Sequence, residues 1–479
     1  MKNYFIHILT LCFIAASCSE NYLETNPTNQ ISDQIVFETV VGAQTVLDGV
    51  LRDIRSSHGM DDRFGVKTID LASDLMGEDI VVEKFHWFGA DYRFENHGAK
   101  GYRSAYAWAL FYRVINNVNG IINNIDNAAS ESENLRENLK AQALALRAYS
   151  YFQLIQLYQH TYSGHENEPG VPLYTESTIT GKSRNSVSEV YEQIISDLNM
   201  AIELFEKSNL PQRHISNLTL NVAKGLRARV ALVMNEWEIA AEMASEAREG
   251  YIIMTAEQFS AGFDNYTQQN WMWGLEVNDE QSTTYASWFS HVDWTIGGYC
   301  GYGFSPKSFN SVLYRQMSAA DVRKKLINAS AIETGRLISY KFSAGDDKGW
   351  AADLVMMRPE EMLLIEAEAR YRLNAEDDVK ALLKELRDNR MDELVTITAT
   401  GNQLLQEILL ERRIELWGEG FSLTDIKRLK NGIDRTNSNH NPVVARTMAL
   451  QPESARFNFQ IPQEEIDSNP NIDEADQNP

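Results

Sequence analysis

Residues 358–373 read RPEEMLLIEAEARYRL, and the fold is read from this stretch outward. Pro359 suits the first position of a helix, where a missing N–H costs nothing, and Glu360 and Glu361 complement the positive end of the helix dipole. The spacing predicts a helix starting at Pro359, a break at Asn374 and a second helix from Asp377 to Asn389. A third, Gln403 to Trp417, ends at Gly418 and Gly420, residues that release a helix C-terminus.

The same periodicity extends upstream. Asn138 to Leu157 places Leu139, Ala143, Leu146, Tyr149 and Leu154 at steps of three and four, and Val187 to Phe205 does so through Val190, Ile194, Leu198 and Ile202. Ser216 to Glu249 predicts two helices broken near Asn235–Glu236. Helix pairs of about 34 residues with small residues at their contacts suggest a tetratricopeptide-like scaffold. Ala228-Arg229 and Ala369-Arg370 fall at comparable places in two such pairs. Generic helix packing would give similar stripes, and on either reading the apolar Met and Leu are core. The fold class is therefore mainly α, with long loops and a few short strands.

Composition narrows function. The 479 residues carry 44 basic and 67 acidic side chains, a net charge of −23, which argues against a nucleic-acid partner. Cys12, Cys18 and Cys300 are too few for a disulfide framework and lack zinc-type spacing. The nine histidines form no HExxH motif, and there is no phosphate-binding loop and no nucleophile elbow. No cofactor and no metal is implied. A catalytic carboxylate pair stays open on paper, because glycoside hydrolysis depends on a separation of about 5–10 Å that sequence cannot show.

The first residues are distinctive. Lys2 precedes an apolar run, Tyr4 to Ala16, that is too short to span a bilayer and matches a secretory signal. Ala15-Ala16-Ser17-Cys18 looks like a bacterial lipobox, giving a signal peptide over 1–17 and acylation, palmitate included, on Cys18. Several acyl chains would hold the mature chain on a lipid bilayer. Cys300 would then be the one free thiol.

Two stretches break the helical pattern. Gly59 to Tyr106 carries Phe64, Phe85, His86, Trp87, Phe88, Tyr92 and Phe94 among charges. Trp271 to Phe304 holds nine aromatics, and four of the chain's nine tryptophans lie between 271 and 294. Its start, Trp271 to Val277, alternates like a strand, so Trp271 and Trp273 are expected to be structural. Gly297-Gly298 and the residues around them read as loop. Trp108, on a helical stripe, is expected in the core.

Several segments resemble the RagB/SusD family in order along the chain. The lipobox is followed by Tyr22-Leu23-Glu24 and Pro27; Leu146 to Leu154 (LRAYSYFQL) and Arg358 to Ala369 come next. Glu411-Arg412-Arg413-Ile414-Glu415-Leu416, with Glu419-Gly420-Phe421 and Asp425 to Arg428, is similar to a further family run. Phe459 to Ile466 with Asn469-Pro470 resembles its closing segment. Departures are Ala15 in the lipobox and Arg390-Met391 where a glycine-bearing turn is common. The resemblance implies a surface lipoprotein of the outer membrane, paired with a SusC-like TonB-dependent transporter and serving nutrient uptake such as polysaccharide utilisation. It divides the chain into an N-terminal helical region, 18–260, and a C-terminal region, 261–479, within one unit. Arg412 and Glu415, three apart, are expected to pair on the scaffold.

Aromatics carry the ligand expectation. An indole or phenol face stacks on the apolar face of a sugar while polar groups bond its hydroxyls. Trp288, Trp294, Tyr299 and Tyr302 are expected on an exposed loop, with Trp87, Tyr92 and Arg93 as a second wall; packing against the scaffold is the competing reading for each. Glu276, Asp279, Glu280 and Asp293, with no Lys or Arg between 271 and 304, favour a neutral oligosaccharide. A peptide or other nutrient, a helical glycoside hydrolase and a pure protein adaptor are the alternatives.

Overall fold

In the computed structural model, which describes residues 36–479 except 131, 268–269, 332–335 and 346–347, helices follow one another along the chain and pack in that order. The signal peptide, Cys18 and the 22–27 motif lie outside the described residues. Among the described residues, ten helices have nine residues or more: α1 (Val40–Asp53), α2 (Lys67–Leu75), α3 (Tyr102–Asn124), α4 (Glu133–Tyr158), α5 (Val187–Ser208), α6 (Leu220–Met234), α7 (Trp237–Ala247), α8 (Pro359–Arg372), α9 (Glu376–Asp388) and α10 (Gly401–Glu415). Each of α3 to α8 packs on the next, and α8 also packs on α9 and α10. Helices α7 and α8 touch although more than a hundred residues separate them, so 248–358 leaves the stack and returns to it. This is the mainly α, tetratricopeptide-like scaffold expected.

Local chemistry sets the boundaries. Ser186 caps α5 in a reciprocal box with Glu189, and Thr219 caps α6 through the Val222 N–H. Asn235 (φ 62°) and Asn374 (φ 63°) take left-handed conformations that end α6 and separate α8 from α9, where the sequence breaks its helices. Among the described residues the strands are short and form four antiparallel pairs. In chain order they are β1 (Ile80–Val82), β2 (Trp273–Leu275), β3 (Lys307–Phe309), β4 (Ile327–Ala331), β5 (Arg336–Ser339), β6 (Leu354–Met357), β7 (Ile433–Asp434) and β8 (Ala449–Leu450). The pairs are β1–β3, β2–β6, β4–β5 and β7–β8. Trp271, Trp273 and Trp108 are buried, as expected of structural residues.

The recognisable C-terminal motifs build a buried ionic core. Helix α8 is buried almost all round from Pro359 to Ala369, and its acids are matched by arginines from other elements: Glu361 by Arg229 (2.7 Å), Glu366 by Arg248 (3.2 Å) and Glu368 by Arg428 (2.8 Å). Glu415 sits fully buried between Arg358 (2.7 Å), Arg323 (2.8 Å) and Arg390 (2.9 Å). Glu419 accepts from Arg358 and Lys341. Burial alone would raise both carboxyls, but the guanidinium groups outweigh it; Glu415 falls well below the usual range and Glu419 to about 2. The expected Arg412–Glu415 pair does not form. Arg412 instead reaches Asp425 (2.7 Å), because three other arginines already surround Glu415.

Candidate functional site

Strand pairing assembles the site. The β1–β3 register, Ile80 opposite Phe309 and Val82 opposite Lys307, lays residues 83–87 beside the loop 297–306. Glu83 N–H donates to the Pro306 carbonyl (3.0 Å), Lys84 Nζ to the Gly303 carbonyl (2.8 Å) and Ser305 Oγ to the Trp87 carbonyl (3.0 Å). The loop is tight. A Cβ on Gly298 would sit 2.6 Å from Ser290 Cα, so only glycine allows this approach.

An aromatic platform results, with Tyr299 at its centre. Its ring lies 6.0 Å from Trp87, edge-on, and 5.4 Å from both His86 and Tyr285. Behind it, His291 stacks at 5.1 Å and 17°. Burial, reinforced by the positive charge of Lys307, holds that imidazole well below its ordinary pKa and therefore neutral. The Tyr299 hydroxyl donates to Asp61 Oδ2; partial burial first, and this carboxylate second, raise the phenol above its usual value. His86 and Tyr285 are exposed and Trp87 half-buried, so ring faces from two distant segments meet at the surface. Asp61 offers acceptor oxygens beside them. Further along the loop, Tyr302 is 61% and Phe304 55% exposed, with ring centroids 6.2 Å apart.

The structure brings Trp87 and Tyr299 together and corrects three of the expected positions. Trp288 is only 2% exposed: Ser287 caps the short helix Trp288–Val292, which turns the indole inward, edge-on to Phe342 and under the Lys67 ammonium at 4.9 Å. Tyr92 is fully buried, stacked on His440 with Arg435 over its ring at 4.5 Å. Arg93 is buried too, and its guanidinium donates to the Val444 and Val443 carbonyls (2.7 and 3.2 Å). The cause is local. Phe88 adopts φ 64°, and the helical turn Gly89–Tyr92 after it runs inward, so Trp87 stays out while Tyr92 and Arg93 go in. Trp294 is half-buried, its indole N–H donating to the Lys307 carbonyl (2.8 Å) with the Arg336 guanidinium 5.5 Å above the ring.

Two of the acids in the 271–304 stretch are also placed otherwise than expected. Asp293 is fully buried, accepting from Thr295 and Ala344 N–H groups, and Glu276 pairs with His214 (2.6 Å), so neither faces the platform as a free charge. Sequence reasoning missed His86, Tyr285 and Asp61 as members. His86 and Tyr285 lie in the two stretches singled out for aromatic content; no sequence signal distinguishes Asp61 from its neighbours.

Residues 21–232 match a family described as starch-binding and associating with the outer membrane, and residues 307–479 match the SusD family. A SusD-like protein of Formosa agariphila is 24% identical, over 90% of this chain and 92% of that protein. Among solved structures, a SusD-like carbohydrate binding protein from Bacteroides vulgatus is 28% identical with a TM-score of 0.82, covering 91% of this chain and 98% of that one. Surface glycan-binding protein A from Bacteroides thetaiotaomicron, solved with laminarihexaose, shares the fold at 18% identity and a TM-score of 0.68, over 91% of this chain and 98% of that one.

Proposed function

Because the chain belongs to the SusD/RagB family, we propose that it is a non-catalytic, surface-facing lipoprotein of the outer membrane that captures an oligosaccharide and passes it to a SusC-like TonB-dependent transporter. The observation that carries this reading is the platform of Trp87, His86, Tyr285 and Tyr299 beside Asp61. Rigid rings present large faces at low entropic cost, and a sugar's C–H face fits them while Asp61 takes a hydroxyl. The half-buried Trp294 and the exposed Tyr302, from the same aromatic stretch, would add further stacking faces for a longer chain. The sugar units resting on the rings are neutral, since a carboxylate or sulfate would meet Asp61 directly. The relatives' names, which speak of glycan and carbohydrate binding, support the same class of ligand.

Hand-over requires moderate affinity, because differences among related complexes lie mostly in dissociation rate. Anchoring falls to acylated Cys18; among the described residues no helix is long and apolar enough to cross a membrane. A glycan array probed with the chain lacking residues 1–18, beside its Tyr299→Ala variant, tests the reading. Glycan hits that disappear in the variant are expected. An array without hits, or hits indifferent to Tyr299, would contradict it.

A further inference from the structure

We propose that a second groove, sharing residues 58–63 with the aromatic platform, recognises an acidic substituent on the captured glycan: a sugar-borne carboxylate or sulfate ester. This rests on the glycan-binding reading above. The segment 58–63 serves both places, since Asp61 bonds Tyr299 on the platform while His58 and Arg63 line the groove. The groove has a volume of ≈ 530 Å³, within the range of about 300–1,000 Å³ usual for small-ligand sites. Its other walls are the start of α3, with Tyr102, Tyr106 and Arg113, together with Lys100 and Glu464.

Charge pairing separates these cations. Asp53 occupies both Arg113 (2.8 Å) and His58 (3.1 Å). Arg63 and Lys100 have no carboxylate partner among the described residues, in a chain where acids outnumber bases 67 to 44. The Arg63 guanidinium lies 5.6 Å from the Tyr102 ring and 5.9 Å from the Tyr106 ring. Its Nε is shut away from solvent and finds no acceptor among the described residues. Its terminal nitrogens, by contrast, are not shut away and make no hydrogen bond among the described residues, so they are where an incoming oxyanion bonds. A planar guanidinium fork matches the two oxygens of a carboxylate or sulfate, with Lys100 as an exposed second charge. Helix α3 starts at this wall with no acid in its first turn, so its positive end adds to the field. The lone acid on the lining, Glu464, is exposed and screened. A glycan with a neutral backbone on the rings and an acidic branch in the groove satisfies both surfaces.

Calorimetry on the chain lacking residues 1–18 tests this with two matched pairs: a glucuronoxylan oligosaccharide against its carboxyl-reduced form, and a sulfated galactan oligosaccharide against its desulfated form. At least one acidic member should bind on the order of ten-fold more tightly than its neutral partner, an advantage that shrinks as salt rises. Which pair shows it identifies the oxyanion. Arg63→Gln and the exposed Lys100→Gln should each reduce that advantage while leaving the neutral form's affinity and the melting temperature unchanged. Equal affinities within both pairs, no binding by either acidic member, or an advantage that survives both substitutions would overturn the groove. Tyr299→Ala keeps the two readings distinct: loss of the neutral forms upholds the platform whatever becomes of the groove, and unaltered neutral binding removes the platform alone.

Discussion

Trp288 and Tyr299 come from one aromatic-rich stretch, yet one packs against Phe342 and the other faces outward beside Trp87. Tyr299→Ala and Trp87→Ala should therefore each weaken glycan binding by about 1–3 kcal/mol, by analogy with base stacking, with little change in melting temperature. Trp288→Ala should do the reverse, lowering stability by about 3–5 kcal/mol through the cavity it leaves, as denaturant titration would read. Sequence could find the aromatic stretch but not sort its members. The inward turn at Trp288 depends on the Ser287 cap, and the burial of Tyr92 on the left-handed Phe88; neither is a pattern of residue types. The ionic core makes a pH prediction at this same scale. Glu419 falls from its ordinary 4.5 to about 2 in the folded chain, so its contribution is complete above about pH 4.5 and is lost as pH falls towards 2. Unfolding free energy should drop across that window, and Glu419→Gln should flatten the drop. Removing Glu415, which leaves three arginines without their shared partner, should cost about 3–5 kcal/mol.

Among elements, the helices were the legible part. The break read at Asn235–Glu236 coincides with Asn235 at φ 62°, and Pro359 does open α8. Asn235→Gly should hold stability close to that of the parent chain, whereas Asn235→Val, β-branched at a positive φ, should lower it by about 1–2 kcal/mol in thermal melts. Strands were less legible. The alternation over Trp271–Val277 correctly marks one, but β2 is three residues long and buried throughout, so alternation overstates its length and its exposure. The β1–β3 pair that builds the platform joins segments more than two hundred residues apart, a contact no local pattern encodes. The Arg412–Glu415 expectation failed for a related reason: helix spacing shows which side chains can meet, and Arg358 just before α8, Arg390 just after α9 and Arg323 decide which do.

For the molecule as a whole, a serial helical stack carries one long excursion, 248–358, whose aromatic loop meets a second loop from the N-terminal half. The stack supplies rigidity through buried ion pairs, and the loops carry the exposed aromatic rings proposed to bind glycan. A tether at Cys18 would hold that face at the cell surface. Cys18→Ser is expected to release the protein from the membrane fraction without altering its glycan affinity; membrane sedimentation of the variant, with retention as the contrary result, checks this. On the proposed reading, the rings of Trp87 and Tyr299 together hold the sugar. Titration calorimetry of the Trp87→Ala/Tyr299→Ala double variant with the strongest array ligand tests it most directly. Binding should be lost, with a melting transition matching the parent chain; affinity unchanged in that folded variant would contradict the stacking role of these rings.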